Sequence, residues 1–184
     1  MKTERTKRLL HKRLAANEND HDVHFYLMQI LSDAGDNKEA VKHGEIYITR
    51  KDQIEKERVF MHSVYYTMIH SYMFLESAED ASRWLEMAIK ELPDDIDIAM
   101  ALTEFATWQQ KPELIITGAK RFIELYGKIK DNPLMKGNRF IYTAVPEAFA
   151  FCLYHLSTVL LFQFRETMGL FVNTITNDVN AKYG

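Results

Sequence analysis

The sequence predicts an all-α fold, an α-solenoid of about three helical hairpins with flanking helices. Three observations carry that expectation. Apolar residues recur at spacings of three and four, as in Tyr65, Met68, Ile69 and Tyr72 or in Leu85, Ala88, Ile89 and Leu92, which places each set on one face of a helix. Helix stops and starts coincide, as in "WLEMAIKELPDD", where Pro93 disfavours helical geometry at Leu92 and Asp94 or Asp95 can accept the exposed N–H groups of the next helix. Small residues, Ala81 and Ala88, lie seven apart on one run and let two helices approach closely. With only 7 Gly and 4 Pro, the chain lacks the regular turn signals of an all-strand fold.

The elements follow in order within a single domain spanning 1–184. Residues 1–19 form a leading helix, Met1 to Ala16, ended by an Asn/Asp-rich turn. Residues 20–51 form a first hairpin. Leu27, Met28 and Leu31 make its inner stripe, Gly35 takes the left-handed conformation that ends a helix, and Asp36 or Asn37 caps the next. Residues 52–94 form a second hairpin with an extended connection around "RKDQIEKER". In the third, 95–128, Ala99, Leu102 and Ala106 face Ile115, Ala119, Phe122 and Tyr126, with Pro112 at a first helical position where its missing N–H costs nothing. "KIKDNPLMKGN" reads as a loop, and 138–184 as closing helices that pair as a hairpin, one from about Pro146 and one from about Glu166.

Ala81, Leu85, Ala88 and Pro93 resemble the second helix of the tetratricopeptide repeat, a helix-turn-helix unit of roughly 34 residues. The first helix departs from that pattern: Ile69 stands for the usual small residue, and "ESAED" for the usual Gly-Asp turn. Ala40 and Ala81 are 41 residues apart, so the second connection holds about one or two extra helical turns. The resemblance implies a tetratricopeptide-like solenoid, since stacked hairpins bury faces that none can bury alone.

Composition narrows the function. A net charge of −3 gives no field for attracting nucleic acid, and the basic start (Lys2, Arg5, Lys7, Arg8, Lys12, Arg13) carries no interleaved base-stacking aromatics, so no nucleic-acid partner is expected. Charged residues follow Met1 where an apolar leader would lie, and the expected location is cytoplasmic. "VPEAFAFCLYHLSTVLLFQF", Val145 to Phe164, is long enough to cross a bilayer, but Glu147, His155 and the Arg165-Glu166 pair favour a buried core helix and no membrane partner. Its apolar residues, Phe149, Phe151, Leu153, Leu160, Leu161 and Phe164, exceed what one flanking helix covers, so a homodimer is a possible outcome. The single Cys152 excludes an internal disulfide and reads as a small packed residue.

No metal site or cofactor is expected. Of 7 histidines, His21 and His24 have the i, i+3 spacing of a ligand pair, yet no third ligand is specified, and capping or solvation explains that stretch better. His62 and His70 lie eight apart without an HExxH-type pattern. Neither a phosphate loop nor a nucleophile elbow is present, and no catalytic residue is assigned.

In the tetratricopeptide register the first helices line a concave face, which places Phe25, Gln29, Asp33, Tyr66, His70, Phe74, Met100, Glu104 and Trp108 there. Aromatic anchors mixed with polar groups suit a protein or peptide partner. Packing against neighbouring helices explains several of them equally well. Gln29, His70 and Glu104 stand where chaperone-binding repeats carry a carboxylate-clamping Asn, which argues against a chaperone co-factor. The alternative is a small enzyme or ligand-binding protein using a pocket near His70, Glu104 and Trp108.

A narrower likeness runs through "ERTKRLLHKRLAANENDHDVHFYLMQILSDAGDNKEAVKHGEIYI" and "AKRFIELYGKIKDNPLMKGNRFIYTAVPEAFAFCLYHL". Both resemble the repeat-containing tail that follows the catalytic domain in bacterial family 2 glycosyltransferases. The resemblance implies a non-catalytic tail or accessory part that dimerises or binds acceptor protein, because the acidic metal-binding motif of that catalytic domain is missing here.

Overall fold

The computed structural model describes residues 2–49, 58–131 and 146–183, with side chains described for 4–49, 60–129 and 146–169. The described residues form eight helices and no strand: α1 (Lys2–Ala16), α2 (His21–Asp33), α3 (Asn37–Ile48), α4 (Arg58–Phe74), α5 (Ala78–Glu91), α6 (Ile96–Trp108), α7 (Pro112–Asp131) and α8 (Pro146–Tyr183).

Local chemistry explains the boundaries. Asp20 caps α2 by accepting from the Val23 N–H at 3.3 Å, and Asp95 caps α6 by accepting from Asp97 N and Ile98 N at 2.9 and 3.3 Å. Asp94, the other candidate cap, pairs instead with Arg121. Asp36 stands at the N-cap of α3 but makes no side-chain capping bond. Pro112 opens α7, where its ring fits the first turn.

Three hairpin turns share one geometry. Asp36 N donates to Leu31 O, Ser77 N to Tyr72 O and Lys111 N to Ala106 O, the six-to-one closure of a Schellman turn. Each holds one residue at positive φ: Gly35 at 80°, Glu76 at 56° and Gln110 at 52°. "ESAED" therefore closes its hairpin as a glycine would, with a strained backbone at Glu76.

The helices pack so that each touches its neighbour in sequence, while α2, α4, α6 and α8 form a second, continuous row of contacts. Small residues sit at the close approaches: Ala40, Ala81, Ala88, Ala106 and Ala119 are all fully buried. The main core gathers Met28, Val64, Tyr65, Met68, Ile69 and Trp84 between α2 and α5. A second cluster, around Met100, Phe122, Ala148 and Cys152, joins α6, α7 and α8. The Cys152 thiol packs 3.6 Å from Met100 Sδ as an apolar filler, and burial pushes its pKa up to about 11.

Three expectations are corrected. The last two helices are one: α8 runs unbroken through Arg165-Glu166-Thr167, which has no breaker and is rich in helix formers. Nor is the Val145–Phe164 segment a buried core helix. The described part, Pro146–Gly169, has a mean hydropathy of 1.3 and enough length to cross a membrane, but only 11% of its apolar window is buried. Among the described residues no second closing helix folds back over it; α6 and α7 cover one seam, and Leu153, Tyr154, Leu160, Leu161, Phe162 and Phe164 stay exposed. Finally, α7 continues through Asp131, so the first four residues of "KIKDNPLMKGN" are helical. The remainder of that loop and the "RKDQIEKE" connection lie outside the described residues.

Candidate functional site

The central part of the row joins α4 to α6. Tyr66, His70 and Phe74 share one face of α4 at successive i, i+4 positions, opposite Glu104 and Trp108 on α6. His70 Nε2 lies 2.9 Å from Glu104 Oε2, and the Tyr66 hydroxyl donates to the same oxygen at 3.4 Å. The Tyr66 and His70 rings approach to 4.3 Å between centroids. Both members of the His70–Glu104 pair keep about a fifth of their side-chain surface in contact with solvent, 22% and 23%. Burial, followed by the charges of Glu104 and Asp97, pushes the Tyr66 phenol far above its ordinary range, so it acts as a neutral donor.

Phe74 at the end of this face is 74% exposed, more than any other large apolar residue described. Trp108 is partly buried, with its ring set edge-on to Phe105 at 6.0 Å. Towards α2 the row continues through a hydrogen bond from Gln29 Nε2 to Ser63 and a Ser32–Ser71 hydroxyl pair at 3.1 Å. Asp33 is exposed at the end of α2.

Two of the nine candidates do not line an open surface. Phe25 is buried among Tyr26, Tyr47 and Phe60, and Met100 is buried against Cys152 on the α7 and α8 side. Both belong to the core, because their faces of α2 and α6 turn towards neighbouring helices. Sequence reasoning missed Ser63, which Gln29 contacts. No register in the sequence points to it: the first two hairpins are offset by 41 residues, which matches Gln29 with His70, and Ser63 meets Gln29 only through the packing of α2 on α4.

Beneath the same two helices His62 and Asp97 are both buried, with Nε2 and Oδ2 3.9 Å apart. The expected solvation of the His21–His24 stretch is corrected at His24, which is buried and meets His43 of α3 with 2.8 Å between their Nδ1 atoms. Among the described residues no group of three or more His, Cys, Asp or Glu is arranged to hold a metal ion.

A cavity of about 430 Å³ opens elsewhere, between α5, α6 and α7, lined by Leu92, Pro93, Ile98, Leu102 and Thr117 with Arg121 at its edge. None of the nine candidate residues lines it. No protein-family model matches the chain, and no curated protein matches it.

Proposed function

We propose that this chain is a non-catalytic interaction module, a tetratricopeptide-like solenoid of three hairpins that receives a peptide or protein segment across the α2, α4 and α6 row. The observation that carries the reading is the composition of the α4–α6 face. The exposed Phe74 ring and partly exposed Trp108 stand beside a polar cluster, Tyr66, His70 and Glu104, whose donors and acceptors are held in place, with His70 and Glu104 about one-fifth open to solvent. An aromatic anchor beside fixed polar groups is the arrangement by which interfaces combine affinity with orientation. The three equivalent Schellman turns and the row of alternate helices support the solenoid reading. The likeness to glycosyltransferase tails supports a role as the tail or accessory part of such an enzyme, with acceptor protein as the segment received.

The His70–Glu104 pair favours a second reading, since a histidine oriented by a carboxylate is also the minimum for a general base. Calorimetry with nucleotide sugars and divalent metals, alongside capture of candidate acceptor peptides by wild-type and Phe74→Ala protein, separates the two. Peptide capture that falls in the variant supports the module. Tight metal-dependent nucleotide-sugar binding would refute it in favour of the enzyme.

A further inference from the structure

The outer face of α8 is the largest unpartnered feature of the described surface. Between Glu147 and Arg165 the helix has no Asp, Glu, Lys or Arg. Its inner seam, with Ala148 and Cys152 buried, lies against the body, and Gln163 Nε2 ties it to α7 by donating to Glu113 Oε1 at 3.1 Å. On the outside Leu153, Tyr154, Leu160, Leu161, Phe162, Phe164 and Met168 are exposed by 43% to 68%. Tyr154, Leu161, Phe164 and Met168 lie on one face of the helix; at about 200 Å² for a full large side chain they expose roughly 500 Å² per copy, so two copies together reach the roughly 1,000 Å² that a specific interface needs.

The outer face also has a period. Ala150, Tyr154, Ser157, Leu161, Phe164 and Met168 follow one another at spacings of four, three, four, three and four. That spacing of about 3.5 residues gives the helix a continuous stripe along which a second helix can pack. The set is also nearly self-complementary when reversed. About a centre at Val159, Ala150 falls opposite Met168 and Ser157 opposite Leu161, so both small residues meet large ones, while Tyr154 and Phe164 meet as an aromatic pair. Parallel pairing would stack Phe164 on Phe164 and Ser157 on Ser157.

We infer that α8 is the interface of a two-fold homodimer, in which the outer faces of two copies pack antiparallel along the Ala150–Met168 stripe. This goes beyond the proposed groove and uses none of its residues. A bilayer is the less favoured occupant. Insertion across it would strip the inner seam from α6 and α7, and Glu147, Arg165 and Glu166 together bring one net negative charge, which gives no attraction to anionic headgroups.

The test is sedimentation equilibrium of the full chain over a wide concentration range, for wild type, Leu161→Asp and Phe164→Asp, with helicity followed by circular dichroism. Both substitutions are at exposed positions, so the monomer fold is retained. The expected result is a wild-type dimer whose dissociation constant rises about 100-fold or more in each variant, because a carboxylate would be trapped in an apolar seam. Mixing Ala150→Cys with Met168→Cys chains, both in a Cys152→Ala background, should yield the mixed disulfide in preference to either self-pair. Preferential self-pairing overturns the antiparallel register. A strictly monomeric wild type, a dimer indifferent to both Asp variants, or a monomer that floats with neutral phosphatidylcholine vesicles through this face overturns the interface.

Discussion

His24 of α2 and His43 of α3 face each other through their Nδ1 atoms at 2.8 Å, a contact in which one imidazole must donate and the other accept. Both rings cannot be protonated on these atoms at once. His11 from α1 and Lys42 beside His43 add positive charge, Glu39 opposes it, and His24 Nε2 is held by the Glu18 carbonyl at 3.2 Å. Burial first, then the neighbouring His24, pushes His43 down to about 4.

The first prediction follows by linkage. His43 binds a proton in the unfolded chain near pH 6.5 but in the folded one only near pH 4, so between these values the unfolded state holds more protons. The folded state therefore loses stability as pH falls through 6.5, and the loss is complete by about 4. Because His43 is partly exposed and solvent screens its surroundings, the cost is about 1–2 kcal/mol rather than the full linkage value. Urea unfolding at pH 7.5 and 4.5 should show a smaller acid loss in His43→Gln than in wild type. An equal loss in both proteins would remove His43 as the cause.

Two glycines of α7 should respond oppositely to alanine. A Cβ at Gly118 would lie 2.9 Å from the Thr103 backbone nitrogen and 2.7 Å from its Oγ1, and Thr103 is fully buried in α6. Backbone cannot yield as a side-chain tip can, so overpacking outweighs the better helix propensity, for a net loss of about 1–2 kcal/mol. At Gly127 nothing lies within 4 Å, and Ala should stabilise by about 0.5–1 kcal/mol. Chemical denaturation of the two variants would expose an error if they shifted in the same direction.

The shared turn geometry makes a third prediction. Glu76 and Gln110 hold positive φ without being glycine, so Glu76→Gly and Gln110→Gly should each stabilise by about 0.5–1 kcal/mol, after allowance for the greater freedom of glycine in the unfolded chain. Gly35→Ala should destabilise by about 1 kcal/mol through backbone strain alone, since nothing lies within 4 Å of its added Cβ. Thermal melts that rank Gly35→Ala above wild type would contradict the common motif.

Trp108 and Phe74 should separate folding from capture. Trp108 is packed against Phe105 and the main core, so Trp108→Ala should cost about 2 kcal/mol of stability, less than a fully buried aromatic. Phe74 has few contacts to lose, and Phe74→Ala should change stability by under about 0.5 kcal/mol while weakening peptide capture about tenfold or more. Unfolding curves and a binding titration on the same samples check both. Unchanged capture by Phe74→Ala would take the anchor out of the proposed groove.

Much of the local structure was legible because its causes are local. Pro93 ends a helix by its own ring geometry, Asp95 caps the next within three residues, Pro112 opens one and Gly35 closes one, and none of these needs a distant partner. The same local logic fell short at Asp36, whose backbone is in place but whose carboxylate makes no capping bond, and at Glu166, where the expected break did not occur.

The sequence by itself therefore determined the all-helical character, the apolar stripes and the three hairpin turns near Gly35, Glu76 and Gln110, since periodicity and capping act over a few residues. Only the tertiary structure decided which face of each helix met which neighbour. That choice buried Phe25 and Met100, joined His24 to His43 and His70 to Glu104, pressed Gly118 against Thr103, and left the outer side of α8 uncovered. These outcomes depend on how far each helix is rotated about its axis and what is available to cover it, and both are set by packing between segments distant in the chain.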